Sequence, residues 1–150
     1  MSRVSTYLNF MGDTEEAFTF YKSVFGTDFD GPITRMGDIP SGDIPSDPEA
    51  PGIPESERNR IAHIELPILG GHMLMGTDML ESMGHQLRIG NNVTINLEPD
   101  TKEETDRLYD ALSERGSEST GMQQMPWAYW GCTLDRFGIR WMFNCYEQGS

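Results

Sequence analysis

The chain has 150 residues, 37% of them hydrophobic, with three Trp, seven Phe and ten Met; a domain of this length removes roughly 70% of its unfolded surface from water, so a core needs no staples. Twenty-four acidic against eleven basic side chains leave a formal net charge of -13, which repels a phosphate backbone and argues against a nucleic-acid partner. No apolar run approaches the roughly 20 residues of a spanning helix, and no signal-like stretch follows Met1, Ser2 and Arg3, so a cytoplasmic protein without membrane contact is expected.

In chain order, residues 4–10 (VSTYLNF) alternate as a strand does, and Gly12-Asp13-Thr14-Glu15-Glu16 follows. Asp13 with Glu16 has the spacing of a capping box, in which each side chain satisfies a backbone N–H left free by the first helical turn. Ala17, Phe20, Tyr21, Val24 and Phe25 recur at helical spacing, and Gly26 supplies the left-handed stop. Strands are predicted at 28–36, 60–69 and 72–78, the last two joined by Gly70-Gly71 as a two-residue hairpin turn. Residues 37–57 are rich in Pro, Gly and Asp and repeat GDIPS at 37–41 and 42–46. A mobile loop of that length is a lid, a dimer contact or a tolerated insertion.

The same punctuation returns in the second half. Residues 92–98 read as a strand, Thr101 and Glu104 as a second capping box, and Leu108, Ala111 and Leu112 as a buried stripe ended by Gly116. Further strands are predicted at 118–125, 129–134 and 139–146, with Asp135-Arg136-Phe137-Gly138 as the last turn. The chain therefore reads as one α+β domain, 1–150, made of two βαβββ repeats at about 3–80 and 90–147. In each, one helix covers one face of a mostly antiparallel sheet, and the free faces are expected to enclose a cavity. Cys132 and Cys145 belong to no CxxC pair and are expected to be free thiols.

Several runs carry a resemblance: Tyr7-Leu8-Asn9-Phe10, Glu15-Glu16-Ala17, Phe20-Tyr21-Lys22-Ser23-Val24-Phe25-Gly26, His63-Ile64-Glu65-Leu66, Leu74-Met75-Gly76-Thr77-Asp78, and Trp130-Gly131 through Asp135-Arg136-Phe137-Gly138 to Asn144. In order and spacing they resemble PhnB-like proteins of the glyoxalase, bleomycin-resistance and extradiol dioxygenase (vicinal oxygen chelate) superfamily. The resemblance implies paired βαβββ modules and a homodimer. It implies no single activity, because the superfamily includes metal-dependent lyases, isomerases and dioxygenases beside proteins that only sequester an antibiotic. Names borrowed from a demethylubiquinone methyltransferase lack support here, since the chain has no glycine-rich nucleotide loop.

Metal-using members of that superfamily place four ligands on the cavity face, and the resemblance puts those positions at Thr6, Met75, Thr94 and Met142. A hard divalent cation needs imidazole or carboxylate ligands, so no metal and no cofactor are expected. The cavity is expected to be lined by Thr6, Leu8, Met75, Thr94, Asn96, Trp130, Met142 and Asn144, with Asn9 also placed to orient a polar ligand. The aromatic run at 127–130, with Trp141 and Phe143, suits a stacked planar ligand, the core or a dimer seam. A two-residue turn at Gly70-Gly71 would set His63 opposite Asp78 with Glu65 along the same face, a candidate metal or acid/base cluster or a structural hydrogen-bonded pair. On that register the cluster lies on the face opposite Met75. His72 and His85 are expected to be solvated. Three functions fit: a metal-free small-molecule-binding protein, a glyoxalase-like lyase or isomerase using His63, Glu65 and Asp78, or a resistance protein that sequesters a cationic drug.

Overall fold

Alternation of apolar and polar side chains builds the first strand, β1 (Thr6–Phe10), in which Leu8 and Phe10 are buried while Tyr7 and Asn9 face water. The structure, a computed structural model, describes residues 1–40 and 52–147 and divides into two units, Met1–Leu87 and Arg88–Ser150. In the first, β1 is followed by α1 (Thr14–Phe25), β2 (Thr34–Arg35), β3 (Ile61–Pro67) and β4 (Met73–Asp78), with sheet order β1-β4-β3-β2. In the second, β5 (Ile95–Leu97), α2 (Lys102–Ser113), β6 (Gln123–Gln124), β7 (Tyr129–Leu134) and β8 (Arg140–Cys145) give the order β5-β8-β7-β6. Each unit is βαβββ; the first strand runs parallel to the last and the other pairs are antiparallel. The α+β expectation and the repeat of its strand order are met.

Three of the expected strands shrink to three residues or fewer. Residues 28–36 yield only Thr34–Arg35, because Gly31 is left-handed and Pro32 has no N–H to give a ladder. Residues 118–125 yield only Gln123–Gln124, since Glu118 and Gly121 take positive φ and break the extended run. Residues 92–98 yield Ile95–Leu97. Of the loop at 37–57, the second GDIPS repeat and the last residue of the first lie outside the described residues. Its two described ends meet: Met36–Asp38 and Glu55–Glu57 are single 3₁₀ turns, and the Gly37 N–H donates to the Arg58 carbonyl at 2.9 Å.

Helix α1 buries Thr14, Ala17, Phe18, Tyr21 and Val24, so Phe18 replaces the expected Phe20 in the stripe. Phe18 lies flat enough on the sheet that a Cβ added to Gly76 would meet its ring at 2.5 Å. The helix start is not held by Asp13, which makes no capping bond. The cap comes from 64 residues away: Asp78 Oδ1 accepts from Gly12 N (2.9 Å), Thr14 N (3.1 Å) and Thr14 Oγ1 (2.6 Å), while Oδ2 accepts from Ile61 N (2.8 Å). One buried carboxylate thus joins α1, β3 and β4. At the other end Gly26 is left-handed and its N–H bonds the Lys22 carbonyl, as expected.

Helix α2 is capped as its spacing predicts, with Thr101 Oγ1 accepting from Glu104 N at 3.1 Å, and Glu147 beyond β8 accepts from Lys102 N at 2.6 Å. The left-handed residue after α2 is Arg115, not Gly116. Gly116 is needed for a different reason: a Cβ there would sit 2.4 Å from the Leu134 carbonyl oxygen. Leu108, Tyr109 and Leu112 are buried, Tyr109 meets Phe143 edge-on, Trp141 and Phe143 are fully buried, and Trp141 Nε1 donates to the buried Asp135. Trp141 and Phe143 therefore belong to the core. On the same side the Tyr129 hydroxyl donates to Asp106 at 2.6 Å, and that carboxylate pushes the phenol pKa up to about 12.

Two outcomes test this account. Asp78→Ala strands three backbone N–H groups and should cost on the order of 3 kcal/mol in urea unfolding, whereas Asp13→Ala should cost under about 0.5 kcal/mol. The Tyr129 phenol holds its proton in the fold beyond the pH at which it ionises in the unfolded chain. Its contribution is complete below pH 10.0 and fades as pH rises to about 12. Stability of Tyr129→Phe should fall less over that window than that of the parent, as measured by thermal melts.

Candidate functional site

Each helix covers one face of its sheet, so the chemistry available to a ligand lies on the other face. In the first unit that face is set by cross-strand register. Glu65 pairs with Met75, Leu66 with Leu74 and Pro67 with Met73, and the Ile68 N–H donates to the His72 carbonyl. The turn thus holds three residues, Leu69, Gly70 and Gly71, rather than two. That single extra residue moves every partner by one, and a shift of one in a strand exchanges faces. Asp78 lands on the helix side, away from His63, and Glu65 joins Met75. The expected convergence of His63, Glu65 and Asp78 is thereby corrected to His63 and Glu65 alone.

On β1 the pairing is Thr6 with Leu74, Tyr7 with Met75, Leu8 with Gly76 and Asn9 with Thr77. Gly76 faces Phe18 of α1, so Leu8 and Thr6 share the helix side, where Thr6 Oγ1 bonds His72 Nε2 at 2.8 Å. Tyr7 and Asn9 take the uncovered positions expected for Thr6 and Leu8. There the Tyr7 hydroxyl lies 2.9 Å from His63 Nδ1, and His63 Nε2 lies 2.9 Å from Glu65 Oε1. A carboxylate only accepts, so Nε2 carries the ring proton, Nδ1 accepts and the phenol donates. Partial burial raises the Tyr7 pKa and the Glu65 charge raises it further. The phenol is held as a donor. His63 reaches this face by alternation from Glu65, and just before it a bulge interrupts the ladder: Thr34 pairs with His63 and Arg35 with Ile61, leaving Ala62 unpaired.

A cavity of about 390 Å³ opens at the end of this face. Met36, Ile39, Ile53, Met79, Leu80 and Met83 supply its apolar lining, and Asn9, Ala62, Thr77, Asp78 and His85 complete it. His85 is fixed by a reciprocal pair: its own N–H donates to the Leu80 carbonyl (3.2 Å), and the Leu80 N–H donates to His85 Nδ1 (2.9 Å). His72 is half-buried and bonded to Thr6, contrary to expectation, whereas His85 is exposed, as expected, with its Nδ1 engaged by Leu80. None of the cavity residues other than Asn9 and Asp78 was singled out from sequence as facing a ligand or forming a site. Most, Met36, Ile39, Ile53 and those at 79–85, lie outside the strands, where no periodicity marks an inward side; the signal available was Met and Ile placed among turn residues.

In the second unit the uncovered face is the expected one. Asn96 pairs with Met142, Cys132 with Met142 and Trp130 with Asn144, while Phe143 and Trp141 point to α2. Thr94 precedes β5 at the same parity as Asn96. A chain of hydrogen bonds crosses this face: Trp127 Nε1 donates to Asn144 Oδ1 (3.1 Å), Asn144 Nδ2 to Asn96 Oδ1 (2.8 Å), and Asn96 Nδ2 to Glu98 Oε1 (3.3 Å). Burial raises the Cys132 thiol pKa, which keeps it protonated and unreactive.

The donor set does not fit a divalent metal of the kind superfamily enzymes use. The uncovered positions carry Tyr7, Met75, Asn96 and Met142, and both ring nitrogens of His63 are already committed. Among the described residues no group of three His, Cys, Asp or Glu is placed to hold a metal ion, and no helix is long and apolar enough to cross a membrane.

Comparison with known proteins agrees with this frame. Residues 2–143 match the family model described as 3-demethylubiquinone-9 3-methyltransferase. Protein YjdN of Escherichia coli K12 is 27% identical over 146 residues, covering 97% of this chain and 96% of its own. The crystal structure of PA1353 from Pseudomonas aeruginosa has a TM-score of 0.76 at 30% identity, covering 99% of this chain and 100% of that one. A protein from Bacillus cereus titled as a putative 3-demethylubiquinone-9 3-methyltransferase, PhnB protein, has a TM-score of 0.70 at 22% identity, covering 96% and 99%. With that match along nearly its whole length, the chain belongs to the PhnB-like 3-demethylubiquinone-9 3-methyltransferase family, which shares the fold of the glyoxalase and bleomycin-resistance proteins of the vicinal oxygen chelate superfamily.

Proposed function

We propose that this PhnB-like protein binds a small organic molecule without help from a metal, and that the apolar cavity of its first unit takes the bulk of that ligand. One observation carries the reading: the cavity measures about 390 Å³ and is lined mainly by Met, Ile and Leu, with a few polar groups beside them, of which the Asp78 carboxylate is already bonded within the fold. Binding pockets of roughly 300–1,000 Å³ have this make-up, apolar walls for affinity and sparse polar atoms for orientation. Met75 in the first unit, and Thr94, Asn96, Trp130, Met142 and Asn144 in the second, stand on uncovered sheet faces and remain proposed ligand contacts. Thr6 and Leu8 are withdrawn from that set because they stand on the helix side. The reading includes a second copy of the chain as partner and the reducing cytoplasm as compartment, which two unpaired thiols suit.

A second reading has its own observation, the Tyr7–His63–Glu65 relay. Glu65 orients His63, and His63 faces a hydroxyl held as a donor, which is an arrangement for proton transfer next to a carbonyl. The glyoxalase-like reading then keeps His63 and Glu65, gains Tyr7 and loses Asp78.

The neutral dye Nile red should bind in the micromolar range, with the same affinity before and after chelation. Ala62→Trp fills the cavity and should weaken it at least tenfold, whereas His63→Gln should leave it unchanged; equal affinity for the parent and Ala62→Trp would reject the cavity. For the second reading, dihydroxyacetone deuterated at its methylene carbons should lose deuterium faster with the parent protein than with His63→Gln or Tyr7→Phe, followed by proton NMR. Loss no faster than in buffer would remove it.

A further inference from the structure

Resting on the proposed binding role, we infer that the cavity of the first unit selects a neutral, largely apolar molecule bearing a carbonyl-type acceptor, held by the Nε2–H of His85. The Leu80 N–H donates to His85 Nδ1, and the His85 N–H returns a bond to the Leu80 carbonyl. This closes the 3₁₀ turn Glu81–Met83 into a small ring that orients the exposed imidazole at the edge of the cavity. With Nδ1 used as an acceptor, the neutral ring must carry its proton on Nε2.

That tautomer decides what the site takes. A soft cation is the obvious guest for a cavity lined by Met36, Met79 and Met83. Ligation through Nε2, however, needs the proton moved to Nδ1, where it would face the Leu80 N–H. The imidazole therefore offers a donor and no lone pair, and the thioethers act as adaptable apolar wall.

The other polar groups narrow the class. All four bonds accepted by Asp78 come from the fold, so its carboxylate offers a ligand charge without a free acceptor. Arg60, the nearby cation, is paired with Glu81. Glu57 is buried against Ser82, whose N–H and hydroxyl it accepts. The surroundings are thus net negative and disfavour an anion. Thr77 Oγ1 donates to the Ile61 carbonyl at 3.3 Å, which leaves the Asn9 amide and His85 Nε2–H as the rim groups to meet a polar atom.

Three matched competitors test this against Nile red: benzophenone, which has the carbonyl; diphenylmethane, which lacks it and is more apolar; and 4-benzoylbenzoate, which adds a negative charge. Benzophenone should displace the dye at concentrations at least tenfold below the other two, and irradiation should label the tryptic segment 61–88. His85→Phe should bring benzophenone and diphenylmethane within about twofold of each other, with circular dichroism unchanged. If diphenylmethane competes as well as benzophenone with the parent protein, the acceptor preference is overturned whatever the variant does. A preference that survives His85→Phe assigns the donor elsewhere and overturns the role of His85. In both cases dye binding that still fails in Ala62→Trp leaves the broader binding reading standing, whereas dye binding indifferent to Ala62→Trp removes that reading itself.

Discussion

What reaches the uncovered face of the first unit depends on how the chain turns between β3 and β4. Ile68 bonds His72 across three residues, and this sets Glu65 beside Met75 and Leu66 beside Leu74. Side chains alternate with a period of two, so a turn shorter by one residue would send Leu66 and Ile64 into water and bring Glu65 against Phe18. Burial of Leu66, Ile64 and Leu74 to 1% or less shows how strongly one register is preferred. The Tyr7–His63–Glu65 relay is a product of that same preference, because Tyr7 arrives at Met75 only when β4 presents Gly76 to the helix.

The two units use one frame for different surfaces. Both place a parallel first and last strand side by side, and both tether the start of their helix to a carboxylate near the end of the last strand, Asp78 in one and Glu147 in the other. On the uncovered faces the likeness ends. The first unit assembles an imidazole, a phenol and a carboxylate; the second joins an indole and two amides in a chain that ends on the Glu98 carboxylate. Amides so engaged are oriented but neither acidic nor basic.

Much of the frame was legible because it is written in local signals. Thr101 with Glu104, the left-handed Gly26 and the strand Tyr129–Leu134 follow from capping, stop and alternation rules that act within a few residues. Trp130, Asn96, Met142 and Asn144 share the sheet face opposite Trp141 and Phe143, as alternation along their strands requires. The misplacements share a cause, dependence on a distant partner. Asp13 has the right spacing for a cap, yet Asp78 does that work, and no local pattern reveals a donor set supplied from 64 residues away. Gly70-Gly71 suggested a two-residue turn, but both glycines take positive φ inside a three-residue turn, and the error of one carried Asp78 to the wrong side; Thr6 and Leu8 came from the resemblance, which falls one residue off on β1. The cavity was invisible because its walls are loops, whose inward side chains are chosen by packing.

The cavity has walls of unequal stiffness. Asp78 and Thr77 belong to a strand end that cannot shift without pulling α1 off its sheet, and Met79 follows directly on that strand, its N–H bonded to the Phe10 carbonyl. Met36 and Met83 stand on single turns and carry unbranched chains with three rotatable bonds. Under the proposed binding role, guests that differ in bulk would be accommodated in one direction only, sharing a common seat at the strand end while the opposite side moulds itself to whatever projects.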